Sequence, residues 1–120
     1  MSFEGFAISG VRMDRTAIVI ADANGVIQLW SVGAITLFGH SPDEAVGGTL
    51  DLVVPKEFRN AHWAGFGHAM STGVANGEGT FFDAPVQCKD GEIKTFRGQL
   101  HVLRNENKQA IGAMAIFTRR

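Results

Sequence analysis

Apolar and polar residues alternate most regularly in residues 93–103, near the end of the chain. One face of this stretch carries apolar or small side chains, at Phe96, Gly98, Leu100 and Val102. The other face is polar and carries Arg97, Gln99 and His101. Successive side chains of a β-strand point to opposite faces of a sheet. The pattern therefore predicts a strand with one face on the core and with His101 on the outer face.

Four further stretches have the composition of strands. Residues 16–21 and 26–30 are apolar runs, and the Asn24-Gly25 pair between them favours a tight hairpin turn. Residues 80–89 form another strand, which a second turn joins to the alternating stretch. Residues 110–117 are nearly all apolar and predict a final strand. The chain therefore contains two strands before its middle and three after it.

Helical spacing and capping residues dominate the middle of the chain. Three segments have helical character: Val32–Phe38, a short segment that begins at Ser41-Pro42, and residues 56–71. Serine followed by proline is typical of a helix start, because serine caps the free backbone N–H groups and proline needs none. Residues 56–71, directly after Pro55, form the longest predicted helix, and a glycine-rich loop of residues 73–79 follows it.

This order of elements predicts an α+β fold. The terminal strands must pair with the first hairpin, since a two-stranded ribbon is not stable alone. The result is one five-stranded antiparallel sheet, with short helices and one longer helix packed on one face. We expect a single domain over residues 14–118. Residues 1–13 are weakly amphipathic, and we expect them to form an N-terminal cap that lays Phe3, Phe6 and Val11 on the body or on a partner chain.

Composition excludes several classes of protein. A net charge of −1 over 120 residues gives no basic surface for nucleic acid or for an acidic membrane. Cys88 is the only cysteine, so an internal disulfide framework is excluded and a reduced, cytoplasmic location is expected. We find no membrane-spanning run, signal peptide, nucleophile–base pair, phosphate loop or zinc spacing. The residues therefore offer no arrangement that is typical of an enzyme.

His62 is the candidate for chemistry, because it lies on the longest predicted helix. Gly65, Phe66 and Ala69 follow it at spacings that share its helical face. The predicted wall opposite consists of strand residues that are apolar or small: Phe82, Phe96, Gly98, Leu100 and Met114. Two interpretations stay open. His62 could present a neutral ring nitrogen to a cavity and bind a metal centre there, or it could buttress the helix through a backbone contact.

Longer motifs connect the chain to a known family. They are DANGVIQLW in the first hairpin, the block AITLFGHSPDEAVGGTLDLVVP, the KDG turn and the final strand GAMAIF. Together they resemble a PAS domain of the bacterial sensory (S-box) kind over residues 14–118. The resemblance implies a signal-transduction module that binds a small molecule or gas in its core and forms a homodimer. It also implies an output domain C-terminal to this segment, such as a histidine kinase, a cyclase or a transcription regulator.

The segment that leads into the long helix is similar to the haem-binding FixL-type oxygen sensors. Pro55, Arg59, His62 and Thr72-Gly73 match that group without gaps. The resemblance implies that His62 is the axial ligand of a haem iron and that the domain senses a gas or a redox change. The chain departs from the group at Phe82, where the group has an arginine that holds bound oxygen, so the distal side here is expected to be more apolar.

Two other functions remain open on the residues alone. The same cavity could hold an apolar metabolite, since its predicted walls are rich in phenylalanine. Alternatively, the domain could be a cofactor-free module that dimerises through the outer face of the sheet and the N-terminal cap.

Overall fold

A computed structural model describes residues 14–120 of the chain. The predicted cap, residues 1–13 with Phe3, Phe6 and Val11, lies outside the described residues. The strands are β1 (Thr16–Asp22), β2 (Ile27–Trp30), β3 (Phe81–Gln87), β4 (Ile93–Arg104) and β5 (Ala110–Arg119). The helices are α1 (Val32–Phe38), α2 (Pro42–Ala45) and α3 (Arg59–Thr72), with two 3₁₀ turns at Leu50–Leu52 and Lys56–Phe58. None of the helices within residues 14–120 has the length and apolar character needed to cross a bilayer.

The five strands form one sheet in the order β2-β1-β5-β4-β3, and every neighbouring pair is antiparallel. This confirms the predicted α+β fold with a five-stranded antiparallel sheet. The two terminal parts of the chain meet at the centre of the sheet, where Ala17 of β1 is opposite Phe117 of β5. Pairing of the first hairpin with the last strand is therefore what closes the fold.

The core lies between the inner face of the sheet and α1. Phe38, at the end of α1, is almost completely buried and contacts three aromatic rings. Its ring centroid is 5.2 Å from that of Phe96, 5.3 Å from that of Phe117 and 5.7 Å from that of Trp30. Tilted and edge-to-face pairs at such distances add to the stabilisation that burial provides. We name these four residues the core aromatic cluster.

Helix α1 approaches the central strand β1 unusually closely. The hydroxyl oxygen of Ser31 caps the helix by accepting from the backbone N–H of Ala34 at 3.2 Å. The same oxygen accepts from the backbone N–H of Ile18 in β1 at 2.8 Å. Gly33 makes the approach sterically feasible, because a Cβ atom there would overlap the carbonyl group of Thr16. Ser31 and Gly33 thus hold α1 in close contact with β1.

Several element boundaries differ from the predicted ones by one to three residues, and hydrogen bonds explain two of the differences. The long helix begins at Arg59 rather than at residue 56, because the N–H of Phe58 donates to the carbonyl of Pro55 at 2.9 Å and makes a tighter 3₁₀ turn. Strand β3 ends at Gln87 rather than at residue 89. Beyond Gln87 the N–H of Lys89 donates to the carbonyl of Phe38 at 2.8 Å. The chain therefore pairs there with the C-terminal end of α1 instead of continuing the strand.

The close approach of α1 predicts the effect of two matched glycine substitutions. Gly33→Ala should lower the free energy of unfolding by about 3 kcal/mol, because the new methyl group overlaps the backbone of β1. In α3, the new methyl group of Gly67→Ala meets no atom within 4 Å. This variant should raise the free energy of unfolding by about 0.5–1 kcal/mol, since alanine favours the helix. Urea unfolding of both variants measures the difference. Equal stability of the two variants would contradict the proposed contact of α1 with β1.

Candidate ligand-binding site

Helix α3 turns one side towards the rest of the domain. The side chains on this side are buried or half-buried: Arg59, His62, Trp63, Phe66, Ala69 and Met70. All other positions of the helix are exposed. The spacing of three and four residues is that of one helical face, so His62 lies on the side that faces the domain.

The first half of α3 is held by hydrogen bonds to the preceding 3₁₀ turns. The indole N–H of Trp63 donates to the carboxylate of Asp51 at 2.7 Å. The Arg59 guanidinium donates to the backbone carbonyls of Val54, at 3.1 Å, and of Asp51, at 3.2 Å. Trp63 also lies directly over Gly25 in the β1–β2 turn, where any Cβ atom would overlap the indole ring. These contacts fix the rotation of α3 and therefore the direction of its inward side.

His62 lies in an aromatic cluster of its own, which we name the α3 cluster. Its ring stacks on Phe66 with centroids 6.0 Å apart, and it meets the edge of Trp63 at 4.9 Å. The Nδ1 atom of His62 is buried without a hydrogen-bond partner within the described chain. Burial lowers the pKa of His62 from its ordinary value of 6.5, and the carboxylate of Asp51 opposes this effect. At neutral pH the ring is therefore uncharged, which is the form that binds metals.

The sheet offers an apolar surface on its inner face. Phe82 of β3 is paired with Gly98 of β4, and its ring lies over that glycine, 3.1 Å from where a Cβ atom would stand. Leu100 follows on the same face of β4. Phe82 and Leu100 are 40% and 44% exposed although both are large and apolar. Inner-face apolar side chains that the helices leave uncovered are available to a ligand.

Two predicted site residues lie away from this surface. Met114 is paired with Ile20 and His101, while its neighbour Ala115 is opposite Leu100, so Met114 is on the outer face of the sheet. The prediction that it shares a wall with Leu100 is wrong. Gly65 is exposed, because the inward side of α3 is centred between His62 and Trp63, and Gly65 is about 110° away from that centre.

Phe96 is on the predicted face but belongs to the core. It is 5% exposed and packs against Phe38 in the core aromatic cluster. His62, Phe66 and Ala69 lie on the inward side of α3, and Phe82, Gly98 and Leu100 lie on the inner face of the sheet. These six remain candidate site residues. His101 is on the outer face, as the alternation predicts.

Sequence reasoning missed the polar contacts around the site. The sequence patterns single out neither Trp63 nor Asp51. Trp63 and Asp51 are twelve residues apart, on opposite sides of Pro55, so no periodic pattern connects them. The sequence carries one indication of these contacts, since Arg59 and Trp63 are four residues apart and therefore share a helical face.

Two concave surfaces in the described part of the chain lie away from His62. Two open clefts of about 410 Å³ each flank the end of β5 and share Arg120. One is lined by residues of α1 and β4, the other by Phe81, Phe82, Asp83 and Arg97. Within residues 14–120, no three His, Cys, Asp or Glu side chains meet in a way that could hold a metal ion. His62, which lies outside both clefts, therefore remains the candidate residue for binding a ligand.

The surroundings of His62 predict its titration in the ligand-free protein. Its ring resonances in NMR should titrate below the ordinary pKa of 6.5, and Asp51→Asn should lower the pKa further by removing a favourable negative charge. The unfolded chain then binds more protons than the folded one below pH 6.5, so the contribution of His62 to stability is complete above that pH and declines as the pH falls through its lowered pKa. A pKa above 6.5, or a rise in Asp51→Asn, would contradict the described burial.

Two curated relatives are sensor proteins. The chain is 24% identical over 105 residues to the oxygen sensor protein DosP of Escherichia coli, covering 88% of this chain and 13% of DosP. It is 39% identical over 46 residues to the sensor protein FixL of Bradyrhizobium diazoefficiens, covering 38% of this chain and 9% of FixL. The chain thus spans only a small part of either protein.

Solved structures have the same fold. A PAS domain from Colwellia psychrerythraea superposes with a TM-score of 0.73 at 24% identity, covering 88% of this chain and 86% of that one. The PAS domain of the quorum-sensing receptor RpfR from Cronobacter turicensis, in complex with C12:0, gives a TM-score of 0.68 at 17% identity, covering 94% and 98%. A family model described as the PAS fold matches residues 15–120. The chain belongs to the PAS family and is a sensory domain of that fold.

Proposed function

We propose that this PAS domain binds a haem group between α3 and the inner face of the sheet, with His62 as the axial ligand, and that it senses a gas or a redox change. The observation that carries the proposal is the buried, unpartnered Nδ1 atom of His62. A buried polar atom without a partner is costly, by about 1–3 kcal/mol, and is a frequent sign of a functional group. A ligand bound at Nδ1 would supply the missing interaction.

The residues around His62 fit such a group. Haem needs one strong axial donor and apolar surfaces for the flat macrocycle. The neutral imidazole of His62 is the donor, and Phe66 and Trp63 would keep its ring oriented. Phe82 and Leu100 supply the uncovered apolar surface on the sheet and would exclude water. When bound, the haem iron supplies a coordination position for a small gas and a centre that changes redox state.

The relatives add support of a different kind. DosP is named as an oxygen sensor, and its similarity extends over most of this chain. The motif that includes Pro55, Arg59 and His62 is similar to that of the haem-binding FixL-type sensors. Because the chain spans only 13% of DosP and 9% of FixL, we propose that the domain works inside a longer cytoplasmic protein, as a homodimer that relays the signal to an enzymatic or regulatory output domain.

An apolar metabolite is the second candidate ligand. It is favoured by the exposed inner-face side chains Phe82 and Leu100, which need no metal centre to be covered. The RpfR PAS domain, with the same fold, is known in complex with C12:0. Native mass spectrometry of the purified protein would separate the two candidates, since haem and an acyl chain differ in mass and only haem absorbs visible light.

Substitution of His62 tests the haem proposal. The protein should bind hemin with a Soret band, and His62→Ala should weaken hemin binding by more than tenfold, or about 1.4 kcal/mol, by removing the axial donor. Absorption titration with hemin measures the affinity. His68→Ala is the matched control, because His68 is on the exposed side of the same helix and should behave like the natural protein.

A rescue experiment separates ligation from a structural role. His62→Gly should regain the Soret position of the natural protein when free imidazole is added, because the imidazole fills the vacated place and binds the iron. Equal hemin spectra and affinities for the natural protein and His62→Ala would remove His62 as the ligand.

A further inference from the structure

We infer that Gly25, in the turn between β1 and β2, is a positioning residue for the candidate ligand site. It leaves room for the tip of the Trp63 indole, and Trp63 in turn sets the orientation of the His62 imidazole. The inference rests on the proposed function in one respect, since the orientation of His62 matters because His62 is the proposed ligand. The contacts themselves are present in the ligand-free protein.

The tip of the indole occupies the place that a side chain at position 25 would need. A Cβ atom on Gly25 would overlap the Cη2 and Cζ3 atoms of Trp63. These two atoms form the outer edge of the six-membered ring, at the far end of the side chain. Any residue other than glycine at this position would therefore have to displace the indole.

The turn itself is held in place by hydrogen bonds. The N–H of Gly25 donates to the carbonyl of Asp22 at 3.0 Å, and the carbonyl of Gly25 accepts from the N–H of Leu50 at 3.0 Å. The carboxylate of Asp22 accepts from the N–H groups of Asn24, at 2.9 Å, and of Val26, at 3.1 Å. Because the backbone on both sides of Gly25 is bonded in this way, a new side chain there would move the indole rather than the turn.

The opposite edge of the indole is held as well. Its N–H donates to the carboxylate of Asp51 at 2.7 Å. Asp51 directly follows Leu50, whose N–H binds the carbonyl of Gly25, so one hydrogen-bonded unit fixes both edges of the ring. With a side chain at position 25, the indole would have to leave its place, and its hydrogen bond to Asp51 would be lost.

Trp63 transmits its position to His62 by two routes. The edge-to-face contact between the two rings is direct, with centroids 4.9 Å apart and planes at 77°. Trp63 also meets Phe66, with centroids 5.5 Å apart, and Phe66 stacks on His62 at 6.0 Å. Three rings in mutual contact cannot tilt independently, because packed side chains leave few voids to move into. A displaced indole therefore reorients the imidazole.

Ring contacts take a role here that hydrogen bonds have in many metal sites. The ring of a metal-binding histidine is usually oriented by a hydrogen bond at the nitrogen that does not bind the metal. The Nδ1 atom of His62 is buried without a hydrogen-bond partner in residues 14–120. A hydrogen bond at that atom thus does not orient the ring, and the contacts with Trp63 and Phe66 remain to do so.

Gly25→Ala tests the inference in the ligand-free protein, and Gly47→Ala is its matched control. Both glycines have a positive φ, of 78° and 91°, so alanine is strained at both positions. A Cβ atom on Gly47 meets no atom within 4 Å, whereas one on Gly25 overlaps Trp63. Gly25→Ala should shift the NMR resonances of the His62 ring and accelerate hydrogen exchange of the Trp63 indole N–H by about tenfold or more. Gly47→Ala should change neither. Unchanged signals in Gly25→Ala, or equal changes in both variants, overturn the inference.

Trp63→Phe separates the overlap from strain in the turn. Phenylalanine lacks the outer edge of the indole, so adding Gly25→Ala to Trp63→Phe should shift the His62 resonances little or not at all, although the strain at position 25 is the same. Trp63→Phe alone should shift them, because the ring loses both its tip and its N–H. Unchanged resonances in Trp63→Phe, or an equal effect of Gly25→Ala with and without Trp63, overturn the route through Trp63.

Hemin binding tests the connection to the proposed site. Gly25→Ala should weaken hemin binding by about tenfold or more relative to Gly47→Ala, because the imidazole is misdirected. Equal affinities of the two variants, together with shifted His62 resonances in Gly25→Ala, overturn the claim that Gly25 positions the ligand. If the natural protein does not bind hemin, the haem proposal fails, while the NMR comparison of Gly25→Ala with Gly47→Ala still decides whether Gly25 orients His62.

Discussion

Helix α3 is held at its two ends by hydrogen bonds from side chains, while Ala69 is its only fully buried residue. At the first end, Trp63 and Arg59 bind the turn around Asp51. At the other end, Arg104 binds the carbonyl of Gly73. Because the aromatic side chains of α3 are only half-buried, these polar contacts act together with packing to decide where the helix lies. The direction of His62 depends on them, and so does the space between α3 and the sheet.

Two clusters of aromatic side chains have different roles in the domain. The core aromatic cluster around Phe38 joins α1 to β4 and β5 and is almost fully buried. The α3 cluster of His62, Trp63 and Phe66 is only half-buried. Within the described residues, no ring contact joins the two. The buried core cluster contains no residue of α3, so the core of the fold does not depend on that helix.

The sequence predicted those features that depend on local patterns. Alternation along β4 correctly placed His101 on the outer face of the sheet and Phe96 on the inner face, because polar and apolar or small residues alternate there. The same rule failed at Met114, because β5 is apolar on both faces and only pairing with β1 reveals its orientation. The three-residue spacing from His62 to Gly65 wrongly placed Gly65 on the inward side of α3. Trp63 and Met70 are also half-buried, and they move the centre of that side away from Gly65. Contacts such as Arg104 with Glu78, 26 residues apart, follow from the closed fold alone.

Polar anchors and apolar burial respond differently to a ligand. Burial is lost gradually as surfaces separate, whereas a bidentate contact such as that of Arg104 with Glu78 depends on geometry and is either formed or broken. A displacement of Gly73, where α3 meets the loop of residues 73–79, would therefore break the contact with Arg104 rather than weaken it gradually. Small shifts become defined changes of state when the element that moves has two distinct arrangements. Arg104 binds the end of α3 through Gly73 and the following loop through Glu78, so geometry couples the position of the helix end to that of the loop.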